Sequence, residues 1–197
     1  MGISGRNEFL QMKPSSFISN RRHTQIAIEA GISSWEELIS YVKHLPYGRN
    51  SSRSDFSLVI TEQKGTCSTK HGFLKEVAIE NDFNGVKLML VLFKMDGINT
   101  PKLKPFFSSS TLNYIPEAHS ILRIHGIPLD VTHPTSDFSN IEKAVISEIE
   151  IQPEQLSAFK TTFHKEYLKN WIAIEKIPIS SEVIWKMREY CIELLSK

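Results

Sequence analysis

Apolar residues recur along the chain at more than one spacing, and each spacing predicts a different element. In SSWEELISYVKHL, residues 33–45, Trp35, Leu38, Ile39 and Val42 share one helical stripe. Ser33 with Glu36 reads as a capping box at its start, and Pro46 and Gly48 end it. YGRNSSRSD follows as a polar loop and FSLVI as a short extended segment. Phe73, Leu74, Val77 and Ala78 mark a second helix that begins near Cys67. GVKLMLVLFKM is almost unbroken hydrophobe, as in a strand buried on both faces.

Residues 96–118 are rich in Pro, Ser and turn formers, which predicts a long connection of the kind that serves as a lid or binding loop. HSILRIHGIPLDVT reads as a β-hairpin turning at His125-Gly126, and AVISEIEI alternates as a further strand. Leu156, Phe159, Phe163 and Trp171 mark one helical face, and Ile184, Met187, Cys191 and Leu194 another. Residues 1–19 lack periodicity and read as an irregular arm. The order is helices, a cysteine-headed helix, an antiparallel sheet and more helices, with residues 153–197 as the closing helical part. This predicts one α+β domain over residues 1–197.

Composition narrows the function classes. A chain of 197 residues builds one domain with a real core and is short for two. With 23 basic against 22 acidic side chains and no basic cluster, no nucleic-acid partner is expected. The Arg21-Arg22 doublet reads as a solvated helix start. No apolar run is long enough for a signal peptide or a membrane span, so no membrane partner is expected. Arg6 stands where a myristoylation signal needs Ser or Thr. Two distant cysteines make no disulfide framework, and the expected compartment is the reducing cytoplasm.

Candidate chemistry centres on EQKGTCSTKHGFLKE, residues 62–76. A thiol becomes a strong nucleophile as thiolate, and a helix N-terminus stabilises that anion through free amides and the macrodipole. Gly65 offers an unusual backbone before Cys67, and Thr66 or Ser68 a cap. The plain alternative makes Cys67 a small hydrophobe beneath the loop, while Cys191 belongs to a core stripe. His71, one helical turn on from Cys67, reads as a local packing or capping residue. The hairpin offers a better base. A two-residue loop pairs residue 124 with 127, 121 with 130 and 119 with 132, which puts His119 and Asp130 on one face as diagonal neighbours. A one-residue slip would send Asp130 to the other face. Cys67, His119 and Asp130 then form a nucleophile–base–orienter set.

GTCSTKHGFLKE resembles the active-site segment of transglutaminase-like proteins, in which Gly-x-Cys opens a central helix. AHSILRIHGIPLDVTHP resembles their paired strands, one begun by a histidine and the next bearing an aspartate. The resemblance spans residues 35–134, and the order Cys, His, Asp is shared with papain-like and arylamine N-acetyltransferase folds. It departs at Ser68, where many members have an aromatic, and at Val131, where the aspartate would precede proline.

The resemblance implies a transglutaminase-like, papain-related fold with Cys67 as nucleophile, His119 as base and acid and Asp130 as orienter. The activity implied is acyl transfer or amide hydrolysis through a thioester. The substrate would be a peptide, a protein or a small amide or ester, and no cofactor is implied. The Cys67 backbone N–H would hold the oxyanion, with Gln63 as a second donor and Tyr47, Arg49 and Asn50 lining the cleft. A surface glutamine and an ordinary turn explain those four residues equally well. Two other readings stay open: a non-catalytic binding module on the same fold, and a metal site from His119, His125, Asp130 and His133, whose spacing matches no strong zinc signature.

Overall fold

The computed structural model describes residues 16–196, so most of the expected N-terminal arm lies outside the described residues. Residues 16–19 are irregular apart from a single bridge between Ser16 and Ser34. Helices α1 (Arg22–Glu29), α2 (Trp35–His44), α3 (Leu58–Thr61) and α4 (Cys67–Glu80) precede strand β1 (Val86–Met95). Helix α5 (Lys104–Ser109), strands β2 (Ile115–Ile124), β3 (Ile127–Leu129) and β4 (Val145–Ile151), and helices α6 (Ala158–Ile174) and α7 (Ser181–Leu195) follow. The strands form one antiparallel sheet in the order β3-β2-β1-β4. The architecture is the expected α+β.

Both faces of β1 are covered, as its unbroken apolar run requires. Leu88, Leu90 and Leu92 join Ala118 and Leu122 of β2 against Phe73, Leu74 and Val77 of α4. Met89, Val91 and Phe93 join Ile121 against Leu168 and Trp171 of α6 and Ile184 and Cys191 of α7. Within α4, Gly72 lets the helix pass close to its neighbours: a Cβ there would stand 2.8 Å from Phe56 and 2.9 Å from Leu156.

Several sequence expectations change. Ser34, not Ser33, caps α2, its hydroxyl accepting from the Glu37 N–H, while Ser33 bonds the Glu37 carboxylate. FSLVI is helical rather than extended. The Asp55 carboxylate accepts from the Ser57 N–H and hydroxyl, starting a turn that buries Phe56, Val59 and Ile60 at helical spacing. Residues 96–118 are more ordered than a loop. Pro101 and Pro105 stand in the first turns of a 3-10 segment and of α5, where proline lacks no needed donor, and β2 has begun by Ile115.

The hairpin turns as expected, with His125 at φ 49° and Gly126 at φ 86°, both left-handed, as a tight two-residue turn requires. Ile124 pairs with Ile127, Arg123 with Pro128 and Leu122 with Leu129, and there the ladder stops. The expected pairs 121–130 and 119–132 therefore do not form. Because β3 is so short, one edge of β2 from Ile115 to Ile121 lacks a strand partner among the described residues.

Helix α6 lies along that edge. Lys160 Nζ donates to Ser120 Oγ at 2.8 Å, His164 Nε2 bonds the Pro116 carbonyl at 2.7 Å, and Trp171 Nε1 donates to Tyr114 Oη at 2.9 Å. One backbone group of that edge, the Pro116 carbonyl, is thereby satisfied by a helix side chain. The buried face of α6 is Lys160, His164, Leu168 and Trp171. This corrects the expected face, since Phe159 is exposed and Phe163 only half-buried.

Candidate functional site

Helix α4 begins at Cys67, one residue after its cap. The Thr66 hydroxyl accepts from the Thr69 N–H, and the Thr69 hydroxyl accepts from the Thr66 N–H at 2.9 Å. Cys67 therefore occupies the first helical position, where backbone N–H groups point outward without intrahelical acceptors. Gly65 is needed for space rather than for an unusual backbone angle, because a Cβ there would lie 2.8 Å from the Lys70 side chain. The Gly65 N–H donates to the Pro46 carbonyl and the Gly48 N–H to the Gly65 carbonyl, which holds Tyr47 beside the start of α4.

His119 and Asp130 meet directly. Where the chain leaves the ladder after Leu129, Asp130 swings toward β2, and His119 Nε2 lies 2.8 Å from Asp130 Oδ2. The other carboxylate oxygen accepts from the Thr132 N–H at 2.9 Å. With Nε2 engaged, Nδ1 is the ring nitrogen left for the Cys67 sulfur, which lines the same hollow and acts on the ring electrostatically.

Electrostatics follow from this geometry. Burial disfavours the imidazolium, but the charge and hydrogen bond of Asp130, with the Cys67 sulfur, raise His119 to about 10. Burial likewise disfavours the thiolate, yet the Lys160 ammonium and the His119 hydrogen bond and charge bring the Cys67 thiol down to about 6. Asp130 is held well below the usual carboxylate range, burial being outweighed by His119, His71 and the Thr132 amide. Both shifts draw the pair toward thiolate and imidazolium.

The sulfur separates two hollows that share Tyr47, Cys67 and Ile192. One contains Ser68, Lys160 and Arg188 and the other His119, Asp130 and Phe93. Tyr47 stacks on His133 at 5.1 Å, and burial pushes its hydroxyl up, so it remains neutral beside the sulfur. Arg49 lines the first hollow and pairs with Glu189. Asn50 lines it too, but its amide is spent on the chain itself: it donates to the Leu58 and Lys64 carbonyls and accepts from Thr69 Oγ1 at 2.8 Å. Gln63 lines neither hollow. Its amide bonds Tyr41 Oη and the Ile60 carbonyl, and its φ of 53° turns the chain before α4. The expected role of Gln63 as oxyanion donor therefore has no geometric basis.

Several contributors carry no apolar signature and escaped the sequence reading. Lys160, only 8% exposed, donates to Ser68 Oγ and Ser120 Oγ at 2.8 Å each and lies 3.6 Å from Cys67 Sγ. Its signal was its register, four residues before His164 and eight before Leu168 on one helical stripe. Lys70 is fully buried and donates to the Leu45 and Thr132 carbonyls, clamping the Asp130 segment to α2 and α4. His71 packs locally, as expected, and also ties α4 to Val131. Behind His119, Glu117 of β2 and Arg188 of α7 form a buried two-pronged ion pair.

His125 is exposed on the turn and His133 is stacked on Tyr47, so the four residues weighed as a metal site do not converge. Among the described residues no three His, Cys, Asp or Glu side chains are grouped to hold an ion. Among them too, no helix is long and apolar enough to cross a membrane. No family model, curated protein or solved structure matches the chain.

Proposed function

We propose that this chain is a thiol-dependent acyl-transfer enzyme or amide hydrolase of transglutaminase-like, papain-related architecture, working in the cytosol on a peptide, a protein or a small amide or ester. The observation that carries this reading is the position of His119, hydrogen-bonded through Nε2 to Asp130 in a hollow that Cys67 also lines. A sulfur on the first turn of a helix, an imidazole on a strand and a carboxylate just past the next strand give the nucleophile–base–orienter arrangement.

The steps follow from the charges. The Cys67 thiolate attacks the carbonyl carbon, a C–S bond forms, and the carbonyl π pair moves to oxygen. The Cys67 backbone N–H, free at the helix start, donates to that oxygen. As the intermediate collapses, His119 gives its Nδ1 proton to the leaving amine, and a thioester remains on the sulfur. His119, now neutral, takes a proton from water or an amine acceptor, which attacks the thioester and releases the sulfur. Asp130 fixes the tautomer and supports the imidazolium throughout.

The test is the mass of the intact protein after exposure to a panel of activated esters, thioesters and glutaminyl peptides. An acyl adduct on Cys67, absent from Cys67→Ser and strongly reduced in His119→Ala, supports the reading. No adduct from any donor would leave a binding module on the same fold as the better account.

A further inference from the structure

Lys160 is a cation set beside a reacting atom without a carboxylate of its own. Its ammonium has three hydrogens, and two are taken by the hydroxyls of Ser68 and Ser120, 2.8 Å away. The third faces Cys67 Sγ at 3.6 Å. The carboxylates around the site have other partners: Glu117 with Arg188, Glu189 with Arg49 and Arg188, and Asp130 with His119. Among the described residues no ion pair engages Lys160, and the ionisable group it touches is the Cys67 sulfur. Two short hydroxyl contacts from different elements, one on α4 and one on β2, fix the direction of the third N–H.

During acyl transfer the negative charge on that sulfur moves. When the sulfur bonds to the carbonyl carbon it loses its negative charge, and the π pair places that charge on an oxygen one bond beyond. Once bonded to carbon, the sulfur is neutral and a poor acceptor, so the third Lys160 hydrogen is released as the oxyanion of the tetrahedral intermediate appears next to it. We propose that Lys160 is a catalytic residue that follows the charge from Cys67 sulfur to the carbonyl oxygen, completing with the Cys67 backbone N–H the oxyanion site for which Gln63 is misplaced. The inference rests on the acyl-transfer reading above. Preorganised donors of this kind act where charge develops and need no reorganisation during the step.

The experiment separates the oxyanion from the sulfur. Alkylation by iodoacetamide uses the thiolate but forms no oxyanion. Acylation by p-nitrophenyl acetate forms the C–S bond, passes through the oxyanion and expels p-nitrophenolate. Both rates are measured as functions of pH and compared on the plateau above each variant's own thiol inflection, where the sulfur is fully ionised. Lys160→Met is expected to keep the alkylation plateau within a few-fold while the acylation plateau falls by about 10²–10³. Ser120→Ala, which retains the ammonium but removes one group that aims it, is expected to lower acylation by about 3–10-fold, the worth of one hydrogen bond. It carries the test if Lys160→Met fails to fold. Parallel falls in both plateaus, or no fall in acylation, would overturn the inference while leaving the acyl-transfer reading intact. An unsubstituted protein that is alkylated but never acylated would remove that reading and the inference with it.

Discussion

The backbone N–H of Val131 donates to Nε2 of His71 across 3.0 Å, while His71 Nδ1 donates to the Cys67 carbonyl at 2.6 Å. One neutral imidazole thus joins the helix that begins at Cys67 to the segment that carries Asp130. Only the neutral ring can accept from Val131, and protonation would break this link. Burial holds His71 down at about 4, against about 6.5 for an unfolded histidine. The unfolded chain therefore binds the extra proton between those values, and stability is full above pH 6.5 and lost as pH falls toward 4. Urea titrations should show a fall of roughly 1–3 kcal/mol over that window. His71→Gln should be less stable at pH 7 and show a shallower acid decline, the remainder coming from His164 and His133, also lowered by burial, and from carboxylates such as Glu80 and Glu117. An undiminished decline in His71→Gln would remove His71 from this role.

Gly72 should resist replacement even though alanine is the better helix former. A methyl there would overlap Phe56 and Leu156, at 2.8 and 2.9 Å. Overpacking of this kind costs about 1–3 kcal/mol, more than the 0.5–1 kcal/mol alanine returns in propensity. Gly72→Ala should lower the urea midpoint. A raised midpoint would mean that α4 and the 3-10 segment at Leu156 are less tightly apposed.

Glu117 and Arg188 pair behind His119, with side chains only 6% and 13% exposed. Removing Glu117 leaves the buried Arg188 guanidinium with only the partly exposed Glu189, so Glu117→Gln should cost up to about 3–5 kcal/mol. The double variant Glu117→Gln, Arg188→Met should cost less than that single one, since no uncompensated charge remains. Additive losses in the cycle would show that the pair is more hydrated than its burial implies.

Much of the layout was legible because it rests on patterns that hydrophobicity alone reveals. The β1 run, the α4 stripe and the tight turn at His125-Gly126 put His119 and Asp130 on neighbouring strands, and their contact followed. The detail differed: the ladder stops at Leu129, and Asp130 closes on His119 because it leaves the strand. Lys160 and His164 were hidden because a polarity pattern assigns lysine and histidine to solvent. Their partners, the hydroxyls of Ser68 and Ser120 and the Pro116 carbonyl, come together only in the fold. FSLVI was misread for a related reason. A short apolar run has no period of its own, and the Asp55 carboxylate decides that it winds.

An ionised Cys67 sulfur beside His119 underlies every step of the proposed chemistry, and the pH dependence of its alkylation by iodoacetamide measures this directly. Cys191 is buried, with its thiol pushed up to about 12, so peptide mapping should find label at Cys67 first. The alkylation rate should rise with an inflection near pH 6, and His119→Ala should move that inflection upward. An inflection at about 8.5, the value of an ordinary thiol, left in place by His119→Ala, would contradict the account.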